Sequence, residues 1–73
     1  MLILYGTSAC HLCEQAAAML DEVGATYREC DISESDALFE RYGLTIPVLR
    51  KASGEELNWP FTPDELEAFL RGI

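Results

Sequence analysis

Short apolar runs alternate along the chain with segments of helical period, and their order predicts the elements of the fold. Leu2-Ile3-Leu4-Tyr5 is a continuous apolar run closed by Gly6-Thr7-Ser8, which suits a strand buried on both faces of a sheet. From His11 to Val23 the apolar residues Leu12, Ala16, Met19, Leu20 and Val23 recur at helical spacing, and Gly24 stands where a C′ glycine would end the helix. Thr26 to Ile32 fits a second strand, and a strand, helix, strand succession of this length predicts a parallel right-handed crossover. Ser33 or Ser35 can cap a short helix through Tyr42, with Leu38 and Tyr42 on one face and Gly43 as its stop. Thr45 to Arg50, entered through Ile46-Pro47, and Glu55 to Trp59, beyond a turn at Gly54, predict a hairpin. Thr62, Pro63 and Glu65 take the N-cap, N1 and N3 places of a capping box ahead of the apolar stripe Leu66, Phe69 and Leu70. The order β-α-β-α-β-β-α predicts a single α/β domain over residues 1–73, a four-stranded mixed sheet with helices on both faces.

Charge and length narrow the partners. A chain of 73 residues, 49% hydrophobic, encloses one small core and leaves little room for a large catalytic cleft. Thirteen acidic against five basic residues give a formal charge of −8, and the one adjacent basic pair, Arg50-Lys51, cannot neutralise a track of phosphates. Nucleic acid and anionic membrane surfaces are therefore poor partners, and the apolar runs are far too short to span a bilayer. With no basic segment or secretory-length apolar stretch at the start, the expectation is a cytoplasmic monomer.

The chemistry is concentrated in Cys10 and Cys13, spaced C-x-x-C where a buried strand turns into a helix. The helix N-terminus gives the first cysteine free N–H groups and a favourable dipole, which stabilise a thiolate. Cys13, one turn further along the same face, can attack a mixed disulfide on Cys10 and release the partner. Cys10 is thus the expected nucleophile and Cys13 the resolving thiol. His11, between them, would favour the thiolate when protonated or else stand as a solvated bystander. Cys30 has no partner in the sequence and reads as core filling rather than a third redox thiol. The acid pairs Asp21-Glu22 and Glu55-Glu56 read as solvated surface, and Trp59-Pro60-Phe61 as a staple on the last helix.

The segment Tyr5-Gly6-Thr7-Ser8-Ala9-Cys10-His11-Leu12-Cys13, together with Thr45-Ile46-Pro47-Val48, resembles the glutaredoxin branch of the thioredoxin superfamily, and most of all its small bacterial glutaredoxin-like proteins. The resemblance implies a thioredoxin fold, thiol-disulfide exchange, a cis Ile46–Pro47 bond facing the cysteines, and a substrate held like an added strand on the backbone of Ile46. It makes Ile46 and Pro47 the expected substrate-binding residues, with His11 added from its place between the cysteines, an external reductant and no resident cofactor. Glutathione-using relatives carry a basic residue ahead of the motif and a Gly-Gly-x-Asp-like turn before the last helix. Here those places hold Thr7-Ser8-Ala9 and Trp59-Pro60-Phe61-Thr62-Pro63. Asp64 and Glu65 add negative charge at that helix start. Weak glutathione binding is expected, with a disulfide-bearing protein or another small thiol compound as partner. Two other classes stay open from the sequence: a dimeric carrier of an iron–sulfur cluster or metal, although two thiolates fall short of a four-ligand zinc site, and a redox-silent adaptor with the same fold.

Overall fold

The computed structural model describes residues 2–71. Strand β1 (Leu2–Gly6) is followed by helix α1 (His11–Glu22), β2 (Tyr27–Asp31), a single 3-10 turn (Ile32–Glu34), α2 (Asp36–Tyr42), β3 (Val48–Arg50), β4 (Glu56–Asn58) and α3 (Pro63–Arg71). The sheet order is β2-β1-β3-β4, with β1 parallel to β2 and antiparallel to β3, and β3 antiparallel to β4. The apolar run Leu2 to Tyr5 therefore lies between two strands, which is why both of its faces are apolar. Among the described residues no helix is long and apolar enough to cross a membrane.

Alternation along β1 divides the core into two layers. Leu2 and Leu4 pack with Ala16 and Leu20 of α1, Leu49 of β3, and Phe61 and Leu66 at α3. Tyr5 on the opposite face packs with Ile32, Tyr42 of α2 and Val48. Helices α1 and α3 thus cover one face and α2 the other, the minimal thioredoxin-like α/β arrangement expected.

Local signals fix the boundaries. Helix α1 ends in a Schellman motif: the Gly24 N–H donates to Asp21 O at 3.1 Å and the Ala25 N–H to Leu20 O at 3.0 Å, a reversal that needs the left-handed φ of +73° at Gly24. At α3 the capping box is complete, with the Thr62 N–H donating to Glu65 Oε1 at 2.9 Å and the Glu65 N–H to Thr62 Oγ1 at 3.1 Å. Phe61 and Leu66, at N′ and N4, meet in the core as the staple requires. Replacing Thr62 by Ala is expected to cost about 1 kcal/mol in chemical denaturation, and a change below a few tenths would mean that solvent replaces the cap.

Several expectations are corrected. Strand β2 stops at Asp31 rather than Ile32, because the Asp31 carboxylate accepts the Ser33 N–H at 2.9 Å and turns the chain into the 3-10 segment. Of the two serines expected as caps of α2, Ser35 takes the place. Gly43 follows α2 with right-handed φ and ψ; the Thr45 and Ile46 N–H groups both donate to Tyr42 O, so a turn ends the helix rather than a left-handed glycine. Strand β3 starts at Val48 rather than Thr45, since Pro47 has no N–H to give the ladder. Leu12 and Val23, assigned to the apolar stripe of α1, are 44% and 38% exposed, and Cys13 takes an inner place with Ala16 and Leu20.

The acid pairs are not simply solvated. Glu56 accepts the Tyr42 hydroxyl and lies 3.8 Å from Arg41, while Glu55 lies 3.5 Å from Lys51. Asp21 accepts the Tyr27 hydroxyl at 3.0 Å. Burial first, then that bond and the charges of Asp21 and Glu29, push the Tyr27 phenol up to about 12. The folded state therefore favours the protonated phenol: the stabilisation is complete below an unfolded value of about 10 and is lost as pH rises through about 12. Urea midpoints followed across that window should fall less steeply for Tyr27→Phe than for the wild type.

Candidate active site

The two cysteines follow the carboxyl end of β1, one of the two interior strands. Cys10 is the N-cap of α1, with extended backbone, and its Sγ accepts the Cys13 N–H at 3.1 Å. The pair forms a disulfide with Cα atoms 5.2 Å apart. Cys10 is half-buried, whereas Cys13 is only 8% exposed, so an incoming group meets Cys10 first. Ala9, immediately before the motif, has a left-handed φ of +59°. A residue with a Cβ is uncommon there, and the sequence carries no glycine or asparagine to signal it.

The other expected site residues are placed as follows. His11 opens α1 on the exposed surface, with Nδ1 3.7 Å from Glu14 Oε2. Ile46 is half-buried and packs against the layer under α2. Pro47 is buried and follows a cis peptide bond, as the resemblance implied. Val48 pairs with Tyr5, so the antiparallel register carried one step further sets Pro47 across from Gly6, where Cys13 packs. Cys30, half-buried, pairs with Tyr5 from β2, packs against the α2-side layer and also lines the space beside the disulfide. Trp59–Pro60 is a second cis bond, for which the sequence reading offered no signal.

A groove of about 460 Å³ runs beside the disulfide. Its lining includes Cys10 and Cys13 together with four acids, Glu14, Glu29, Asp31 and Glu34, and no basic side chain. These acids are scattered in sequence and converge only because α1, β2 and the 3-10 turn meet at one end of the sheet. The Ser33 hydroxyl, and then the Ser33 N–H, hold the Asp31 carboxyl below its usual value, so this acid is charged at neutral pH. Among the described residues no group of three or more His, Cys, Asp or Glu side chains is arranged to hold a metal ion.

Comparison with known proteins agrees with this geometry. The family model described as Glutaredoxin-like domain (DUF836) matches residues 1–71. The chain is 40% identical to target protein XcR50 from X. campestris, with a TM-score of 0.93 to its X-ray structure over 100% of this chain and 99% of that one. The solution structure of the same target matches at 40% identity with a TM-score of 0.90, covering 99% of this chain and 94% of that one. Protein Ne2328 from Nitrosomonas europaea, solved by NMR, is 27% identical, with a TM-score of 0.79 over 93% of this chain and 87% of that one. No curated protein matches.

Proposed function

The chain belongs to the glutaredoxin-like domain family, and from that premise we propose that it is a dithiol-disulfide oxidoreductase. The observation that carries this reading is the Cys10–Cys13 pair at the start of α1, Cys10 half-buried and Cys13 buried. In the reduced protein the Cys10 thiolate, stabilised by the helix N-terminus and the Cys13 N–H, attacks one sulfur of a substrate disulfide. That bond breaks and one substrate thiolate leaves. Cys13, as thiolate, then attacks Cys10 Sγ, the mixed disulfide breaks, and the second substrate thiolate leaves. The substrate has gained two electrons and the protein is left with its Cys10–Cys13 disulfide. An external thiol reductant restores the pair. His11, Ile46 and Pro47 are the proposed substrate contacts, with the Ile46 backbone receiving an extended segment.

The four carboxylates of the groove favour a substrate with positive charge near its cysteine and disfavour anionic glutathione. At α3 the Thr62 and Glu65 N–H groups are already used by the capping box, which removes donors that a glutathione carboxylate would need. The test follows the rate at which the reduced protein is oxidised by cystamine, a dicationic disulfide, and by glutathione disulfide, which is anionic. Cystamine should react faster, and the ratio should shrink as salt rises from about 0.01 M to about 1 M. Equal rates at low salt would remove the charge preference. Failure of both disulfides to oxidise the pair would remove the redox function itself.

A further inference from the structure

We propose that Gly6 is a positioning residue that sets the balance between the disulfide and dithiol forms of Cys10 and Cys13. The inference rests on the reading of this pair as the redox centre. Gly6 is the last residue of β1, paired with Asp31 of β2. Its φ is not left-handed, so the backbone alone does not demand glycine there. What favours it is the neighbour across the gap: a Cβ at this position would lie 3.0 Å from Cys13 Sγ and 3.2 Å from Cys13 Cβ, close enough that Cys13 would have to give way by a few tenths of an ångström. The missing side chain leaves the space into which the buried sulfur fits.

The two contacts respond differently to redox state. The Cys13 Cβ is fixed by the helix backbone, so crowding against it is common to both forms. The Sγ position is fixed only in the disulfide, where it must reach Cys10. Once reduced, the sulfur can turn about the Cα–Cβ bond to another rotamer. An added methyl at position 6 therefore penalises the closed form more than the open one. The balance concerned is the two-electron reduction Cys10–Cys13 disulfide + 2 electrons + 2 protons to two thiols, with dithiothreitol as the reductant, itself oxidised to its cyclic disulfide.

The experiment equilibrates wild type and Gly6→Ala in mixtures of dithiothreitol and its cyclic disulfide, and measures the urea stability of both proteins in each redox form. Gly6→Ala should shift the equilibrium toward the dithiol by about tenfold, equivalent to about 30 mV. Its loss of stability should be correspondingly greater in the oxidised protein than in the reduced one. The gain from a stiffer unfolded chain is the same in both forms and cancels. Equal losses in the two forms, or a shift toward the disulfide, would overturn the proposal while leaving the exchange reaction intact. A wild-type pair that never cycles would instead overturn the underlying function. Should Gly6→Ala fail to fold, the wild type carries the same test by NMR: the Gly6 Hα resonances and their cross-peaks to the Cys13 Hβ protons should change on reduction. Identical Gly6 signals in both forms would overturn the proposal.

Discussion

Cys13→Ser is expected to accumulate as a mixed disulfide through Cys10, while Cys10→Ser loses exchange altogether, by at least about a thousandfold, the scale on which deletion of a nucleophile is felt. The asymmetry follows from position. Cys10 is the more exposed residue, with the helix N-terminus and the Cys13 N–H directed at its sulfur, whereas Cys13 is buried and its attack is confined to the neighbouring Cys10 Sγ of the mixed disulfide. Mass spectrometry of each variant after exposure to cystamine reads the result directly: an added half-disulfide on Cys13→Ser and none on the motif of Cys10→Ser. An adduct on Cys13 in the Cys10→Ser variant, with Cys13→Ser still turning over, would reverse the two roles. Cys30 remains free, so Cys30→Ser serves as the background for both variants.

Leu20→Ala should have the largest effect on stability, about 2–5 kcal/mol. Leu20 is 0% exposed and sits between α1 and the layer formed by Leu2, Leu4, Leu49, Phe61 and Leu66. At roughly 0.05–0.15 kcal/mol per residue a chain of this size holds only about 4–11 kcal/mol in total, so one cavity removes a large share. The same side chain anchors the helix whose first turn carries both cysteines, and exchange activity should be lost at a lower urea concentration together with the helix signal. A loss below about 1 kcal/mol would show that neighbours collapse into the space.

How much of this was visible in the sequence depended on how local each signal is. The capping box Thr62 to Glu65, the Gly24 stop and the cysteine spacing are read within one turn of helix, and the structure realises all three. The resemblance carried what local pattern could not, the cis bond at Pro47. The misses depend on tertiary neighbours. Leu12 fits the helical stripe, yet it lies outside because the buried place in that turn belongs to Cys13. The acidity of the groove could not be read from Glu14, Glu29, Asp31 and Glu34 separately, since only the fold collects them. The left-handed φ at Ala9 had no sequence signal, because alanine is not a residue that announces that conformation.

The sequence contains a single lysine, Lys51, and it is 5% exposed. Its ammonium donates to the carbonyl of Phe69 at 2.9 Å and stands 4.4 Å from the centre of that ring, holding the end of β3 to the last turn of α3. A lysine side chain is ordinarily the most accessible amine on a protein; here the closed structure withholds it. Acylating reagents reach Lys51 once these contacts open, as when the last turn of α3 lifts away from the sheet. The rate of its modification is therefore an intrinsic clock for that opening, running at one position and requiring no engineered label.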